Sequence, residues 1–164
     1  MIGGGRAWVF GDDVDTDAIA PGAHMKGPIQ ELAAHCLETL DPAFAREVGP
    51  GDVVVAGRNF GMGSSREQAP QALRHLGVAA VVARSFAGIF YRNALNLGLP
   101  ALVSGDVSRI RAGERIELNP ETGAIRNLDT GAMLRAEPLP AFLVEMLRDG
   151  GLVPHLEKRL RRAS

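Results

Sequence analysis

Short apolar runs alternate with segments of helical periodicity through the first hundred residues of the chain. Continuous apolar runs are typical of buried strands, and four of them occupy residues 6–10, 52–56, 78–83 and 99–103. Apolar residues three and four positions apart predict helices, over residues 29–40, 68–76 and 86–96. The β-α-β-α-β order of the later elements favours parallel strands joined by helical crossovers.

The pattern changes after these elements. Three short strand-like segments are separated by turn sequences rather than by helices, and they therefore predict an antiparallel meander; they cover residues 114–118, 124–127 and 133–136. A last helical segment follows at residues 139–148. With 164 residues, 46% of them hydrophobic, the chain is expected to form a single α/β domain over residues 1–164.

Composition and charge exclude several kinds of partner. The net charge is −1, with acids and bases interspersed, so we expect no binding of nucleic acid. No run approaches the roughly 20 apolar residues of a membrane span, and no signal pattern begins the chain, so a cytoplasmic protein without membrane contact is expected. The single cysteine, Cys36, cannot form an internal disulfide or by itself hold a metal cluster.

The most informative segment is the glycine-rich loop at residues 57–70, directly after the strand predicted at 52–56. Its glycines allow the backbone to approach a ligand closely, and the free N–H groups of the following helix point at an anion. Arg66 adds a planar fork that matches a carboxylate. The loop lacks the Gly-Lys-Ser/Thr of a nucleotide-binding P-loop and the spacing of a dinucleotide fingerprint. These features together predict a site for a small carboxylate.

Two serines in this loop offer a hydroxyl for proton transfer. Backbone N–H groups, a helix N-terminus and a neighbouring arginine can stabilise the alkoxide of Ser64, which makes it the candidate base. The alternative is that Ser64 and Ser65 only cap the helix, because Ser65 and Gln68 have the spacing of a capping box. Pro70 disfavours a regular helix start, so an irregular lead-in over residues 64–67 is predicted.

Several motifs resemble the swivelling-domain small subunits of the aconitase superfamily. They occur in the family's order and spacing, at residues 10–12, 15–19, 21, 59–67, 85–87, 89–93 and 96–100. The resemblance implies a three-layer β/β/α swivelling domain. It also implies that a separate large subunit contributes three cysteines and a 4Fe-4S cluster, whose open iron binds the substrate hydroxyl and carboxylate.

The same resemblance assigns roles to individual residues. Ser64 corresponds to the base that removes and returns a proton on carbon, and Ser65 and Arg66 correspond to groups that hold a substrate carboxylate. Asp17 corresponds to an active-site acid that supports proton traffic or orients its neighbours. Since Asp also favours turns, a simple loop-capping role for Asp17 is an equal alternative.

Specificity in this family lies in the loop after the opening motif, here residues 22–27. The family usually starts this loop with an aromatic residue and leucine, and His24 and Met25 depart from that pattern. Lys26 is a candidate contact for a substrate carboxylate, with a solvated loop lysine as the alternative. His35 falls within a predicted helix and, with no companion ligands at metal spacing, is assigned a structural role.

The expected activity is that of a hydro-lyase acting on a small hydroxy di- or tricarboxylic acid, active only with the large subunit. Isomerisation of 2-isopropylmalate to 3-isopropylmalate, in leucine biosynthesis, is the favoured instance. Homoaconitase and dimethylmalate or citraconate-type hydratases share the same chemistry and stay open as alternatives. A non-catalytic anion-binding module that keeps the fold is the alternative from another class.

Overall fold

The computed structural model of the protein describes residues 1–163 and contains one seven-stranded sheet. The strands are β1 (Ile2–Val9), β2 (Val53–Ala56), β3 (Ala80–Ala83), β4 (Ala101–Val103), β5 (Arg115–Leu118), β6 (Ala124–Asn127) and β7 (Met133–Arg135). Their order across the sheet is β4-β3-β2-β1-β5-β6-β7. Strand β1 is therefore the central strand, with three strands on each side of it.

Helices lie in the connections between β1 and β4 and after the last strand. They are α1 (Thr16–Ile19), α2 (Ile29–Ala33), α3 (Phe44–Glu47), α4 (Gln68–His75), α5 (Gly88–Asn96), α6 (Ala141–Arg148) and α7 (Leu152–Ala163). Two 3₁₀ turns lie at Gly22–His24 and Val107–Arg109. No helix within residues 1–163 has the length and apolar character needed to cross a membrane.

One half of the sheet is parallel. Strand β1 pairs with β2, β2 with β3 and β3 with β4, all in the same direction. Every residue of β2 and β3 is buried, as expected for strands covered on both faces. The predicted crossover arrangement is confirmed, with α4 between β2 and β3 and α5 between β3 and β4.

The other half is an antiparallel meander, as predicted. Strand β1 pairs with β5, β5 with β6 and β6 with β7. Strand β1 begins at Ile2 rather than at residue 6, and its register against β5 shifts between Gly3 and Arg6. The first half of β1 is mostly glycine, which has no side chain and so contributes nothing to an apolar pattern. The pattern of apolar residues therefore did not predict this part of the strand.

The helix predicted over residues 29–40 is too long. Helix α2 ends at Ala33, and a series of turns follows to Leu40. The chain turns because Leu37 takes a left-handed φ of 57° and donates its N–H to the Ala18 carbonyl, 2.9 Å away. Leu37 and Cys36 are fully buried, so tertiary packing overrides the local helical period. Burial also raises the pKa of the Cys36 thiol.

The glycine-rich loop is fixed to the core at Gly61. This residue has a φ of +85°, and a Cβ built on it would lie 2.2 Å from Cγ of Phe90. Phe90 in turn packs edge-on against Phe60, with ring centroids 5.1 Å apart. Only glycine therefore allows the loop to pass this close to α5.

Replacing Gly61 by alanine is expected to destabilise the protein by about 1–3 kcal/mol, because the added methyl group overpacks the Phe90 contact. The urea-unfolding midpoint measures this effect. Gly105→Ala is the matched control, since a Cβ at Gly105 meets nothing within 4 Å and its φ is not positive. Equal midpoints for the two variants would contradict the predicted close approach.

Candidate active site

The opening motif forms a short helix that the sequence did not predict. Asp15 precedes α1, and its Oδ1 accepts the N–H of Ala18 at 2.7 Å, which makes it the N-cap. Asp17 lies one residue into the helix, and its side chain is 69% exposed. The two acids therefore differ: Asp15 is engaged in capping and Asp17 faces outward.

The glycine-rich loop packs directly against this opening motif. Thr16 donates its N–H to the Met62 carbonyl at 2.8 Å, and Gly61 donates to the Val14 carbonyl at 2.7 Å. Gly63 has a φ of +104°, and a Cβ there would lie 3.3 Å from Oγ1 of Thr16. Two segments that are far apart in the chain thus form one surface.

Arg66 and Asp17 meet on that surface. Nη1 of Arg66 donates to Oδ1 of Asp17 and to the carbonyl of Ala20, both at 2.9 Å. The same Asp17 oxygen accepts the N–H of Gly22 at 3.0 Å. The Arg66 hydrogen bond, followed by the one from Gly22, lowers the pKa of Asp17. Asp17, which like any ordinary aspartate is ionised at neutral pH, holds one end of the guanidinium.

The other edge of the Arg66 guanidinium has no protein partner within residues 1–163. Both of its hydrogen bonds to the protein use Nη1, and neither uses Nε or Nη2. A planar carboxylate can accept two parallel hydrogen bonds from an Nε and Nη2 edge. The geometry can therefore bind a carboxylate without breaking the contact between Arg66 and Asp17.

Ser64 and Ser65 are exposed, and their hydroxyls bond to no described residue. The alternative of a capping box is not found: α4 has Glu67 at its N-cap position and no side-chain capping bond. The irregular lead-in predicted over residues 64–67 is confirmed. The N–H groups of Gly63, Ser64 and Ser65 also find no acceptor in the described part of the chain. These hydroxyls and amides are therefore all without a hydrogen-bond partner among residues 1–163.

The candidate specificity loop is only partly connected to this surface. Lys26 is exposed, and it forms no hydrogen bond or ion pair with residues 1–163. Met25 is half-buried and packs against the hydrophobic core. The structure thus joins Asp17 to Arg66 and places Ser64 and Ser65 beside Arg66 in the chain, but it does not bond Lys26 to this group.

Sequence reasoning missed a cluster that joins His24 of this loop to the turns after α2. The rings of His24 and His35 stack with centroids 3.6 Å apart and planes 2° from parallel. Nδ1 of His35 lies 2.8 Å from Oε2 of Glu38. Ligand atoms of the three residues fall within 4.8 Å of one another, but imidazole lone pairs lie in the ring plane. Because the two planes are parallel, no metal ion can lie in both.

The backbone groups at the site could not be predicted from the sequence either. The Ala20 carbonyl and the Gly22 N–H hold Arg66 and Asp17, and neither residue type indicates such a role. The only available signal was the short spacing from Asp17 to the turn at Pro21 and Gly22. That spacing fits a loop that folds back on the acid.

Comparison with known proteins identifies the family. The aconitase C-terminal domain family matches residues 23–105. The chain is 54% identical to 3-isopropylmalate dehydratase small subunit 1 of Methanopyrus kandleri, over 97% of this chain and 95% of the relative. It is 48% identical to the methanogen homoaconitase small subunit of Methanothermobacter thermautotrophicus, over 95% and 91% of the two chains.

A solved structure agrees with these relatives. The crystal structure of 3-isopropylmalate dehydratase from Methanocaldococcus jannaschii superposes with a TM-score of 0.91 at 44% identity, covering 97% of this chain and 95% of that one. This similarity confirms the α/β swivelling-domain fold expected from the sequence motifs. The chain therefore belongs to the aconitase C-terminal domain family, within the group of small subunits that includes those of 3-isopropylmalate dehydratase.

Proposed function

We propose that this chain is the small subunit of a heteromeric hydro-lyase that interconverts 2-isopropylmalate and 3-isopropylmalate by dehydration and rehydration. One observation carries the proposal: Arg66 is fixed to Asp17 at a surface where the hydroxyl of Ser64 is exposed. The similarity to dehydratase small subunits supports the same reaction class. In this proposal residues 1–164 act as one swivelling domain.

The chain's own residues do not fit an iron-sulfur cluster. Such clusters need several thiolates, whereas the chain has one cysteine, which is fully buried and has a raised pKa. We therefore assign the 4Fe-4S cluster to the large-subunit partner, where it would bind the hydroxyl and a carboxylate of the substrate. The small subunit contributes proton transfer and carboxylate binding.

Ser64 is the proposed base. A serine hydroxyl loses its proton only where the alkoxide is stabilised, and the free N–H groups of residues 63–65 supply hydrogen-bond donors there. The N-terminus of α4 and the charge of Arg66 act in the same direction. Ser64 would remove the proton on carbon during dehydration and return it during rehydration.

Arg66 and Ser65 are the proposed carboxylate clamp. The free Nε and Nη2 edge of Arg66 would donate two parallel hydrogen bonds to the carboxylate, with the Ser65 hydroxyl as a further donor. Asp17 holds the opposite end of the guanidinium through Nη1. In this arrangement Asp17 orients the clamp and assists proton traffic rather than binding the substrate itself.

The substrate class is a small hydroxy di- or tricarboxylic acid. Lys26 is proposed as a second carboxylate contact once the large subunit closes on this surface, since its ammonium group has no partner within residues 1–163. Homocitrate, dimethylmalate and citramalate-type substrates are the alternatives within the same chemistry. A non-catalytic anion-binding module is the alternative of another class.

Ser64→Ala is expected to abolish turnover while leaving assembly intact, because it removes a hydroxyl that bonds to no described residue. The loss should be at least about 100-fold in kcat, the usual contribution of a positioned acid or base. The measurement uses the complex reconstituted anaerobically with its large subunit, with gel filtration to verify assembly. Ser108→Ala, an exposed serine on the second 3₁₀ turn, should retain full activity. Wild-type kcat in Ser64→Ala would refute the base assignment.

Arg66→Lys is expected to raise KM roughly 10- to 100-fold, because lysine keeps the charge but loses the planar fork. Steady-state kinetics on the reconstituted complex measure it. Arg115→Lys is the matched control, because Arg115 forms a similar ion pair with Asp129 in the meander, with Nε 2.9 Å from Oδ1. If KM changes equally in both variants, Arg66 is not the clamp.

A substrate panel tests the specificity proposal and the role of Lys26. The wild-type complex should turn over isopropylmalate faster than homocitrate, dimethylmalate or citramalate, measured as kcat/KM.

Lys26→Ala should lower kcat/KM by about 10-fold or more for the preferred substrate, the usual loss for a hydrogen bond to a charged group. Absence of turnover with every substrate, despite a loaded cluster, would favour the anion-binding module.

A further inference from the structure

The strongest feature without a role is the stacked histidine pair beside the candidate specificity loop. His24 ends the 3₁₀ turn Gly22–His24, and His35 lies in the turns that follow α2. Their rings are 3.6 Å apart and nearly parallel, and both residues are half-buried. The two ring faces are therefore in direct van der Waals contact.

His35 is a fixed platform for this contact. Its Nδ1 lies 2.8 Å from Oε2 of Glu38, and because a carboxylate only accepts, Nδ1 is the donor. The His35 N–H bonds to the Leu32 carbonyl at 3.0 Å, and the Leu37 N–H bonds to the Ala18 carbonyl at 2.9 Å. The platform is thus tied both to α2 and to α1.

The turn that carries His24 is internally bonded. The His24 N–H donates to the Pro21 carbonyl at 3.0 Å, and the Met25 N–H donates to the Gly22 carbonyl at 3.3 Å. The Gly27 N–H closes the segment on the His24 carbonyl, also at 3.3 Å. The backbone that carries the His24 ring is therefore tied to the start of the turn.

The start of the turn touches the Asp17 and Arg66 pair. Gly22 donates its N–H to Oδ1 of Asp17 at 3.0 Å. A Cβ built on Gly22 would lie 3.4 Å from that oxygen and 3.9 Å from Nη2 of Arg66. Nη2 belongs to the edge proposed to bind the substrate carboxylate, so this turn borders the clamp.

We propose that His24, by stacking on His35, is a positioning residue that holds the 3₁₀ turn against the Asp17 and Arg66 pair and thereby sets the affinity for the substrate carboxylate. The first half of this proposal, that His24 positions the turn, rests on contacts within this chain and is called the positioning half. The second half, that the turn sets the affinity for the substrate carboxylate, rests on the proposed function and is called the affinity half. The role belongs to the ring and not to its nitrogens, because the stacked contact uses the ring face.

The first test uses the isolated full chain and measures the pKa of Asp17 by NMR titration of its carboxyl carbon. The Gly22 hydrogen bond lowers that pKa, so its loss must raise it. His24→Ala should therefore raise the pKa of Asp17, whereas His24→Phe, which keeps a ring, should stay close to wild type. His75→Ala, an exposed histidine on α4, is the control and should change nothing.

His35→Leu removes the same stack from the other side and should raise the pKa of Asp17 as His24→Ala does. An unchanged pKa in His24→Ala, or an equal rise in His24→Phe, would overturn the positioning role. Failure of both His24→Ala and His35→Leu to fold would assign the stack to general stability and would overturn it as well.

The second test uses the complex reconstituted with the large subunit. His24→Ala should raise KM about three- to tenfold with kcat within about twofold of wild type, as expected for one misaligned hydrogen bond, and His24→Phe should restore KM. Wild-type KM in His24→Ala overturns the affinity half. If the wild-type complex turns over no substrate, the proposed function fails, and the NMR titration still decides the positioning half.

Discussion

The site depends on one ion pair between distant parts of the chain. Nη1 of Arg66 and Oδ1 of Asp17 are 2.9 Å apart across a sequence separation of 49 residues. The pair forms because Gly61 and Gly63 allow the loop to lie against α1. Exposed ion pairs contribute little to folding, and Asp17 is largely exposed. The pair is therefore better explained as orienting the guanidinium than as stabilising the fold.

In the proposed function, the surface around this pair is half of an active site. Ser64 and Ser65 are exposed, and the N–H groups of residues 63–65 have no acceptor in the described part of the chain. Water would compete for the same donors and would leave a serine hydroxyl protonated, since an alkoxide needs a preorganised and water-excluded environment. A surface with these residues gains its chemistry only when another surface covers it, which agrees with the membership of a small-subunit family.

Local sequence patterns predicted most strands of the sheet. They failed where contacts between distant residues determine where an element ends. The buried runs of β2 and β3 and the helix α4 lie close to their predicted ranges. Helix α2 stops early because Leu37 bonds to Ala18, a contact that periodicity cannot report. Arg66 was identified as a candidate carboxylate clamp from its residue type and its place in the glycine-rich loop. Its ion pair with Asp17 and the stacking of His24 on His35 could not be predicted, because each joins separate segments that carry no local signal for the contact.

Asp17 has two opposing effects on the proposed clamp. Its carboxylate is ionised at neutral pH, as an ordinary aspartate is, and Arg66 and Gly22 lower its pKa further. An anion beside Arg66 weakens the attraction for a second carboxylate. The same bond fixes the guanidinium plane, so a ligand meets an edge that is already oriented and loses less side-chain entropy on binding. The benefit of an oriented guanidinium exceeds the repulsion between Asp17 and the bound carboxylate only if Asp17 stays at the Nη1 end of Arg66. The Gly22 N–H and the Ala20 carbonyl keep both partners there, so the backbone of residues 20–22 shares with Asp17 the orientation of the proposed clamp.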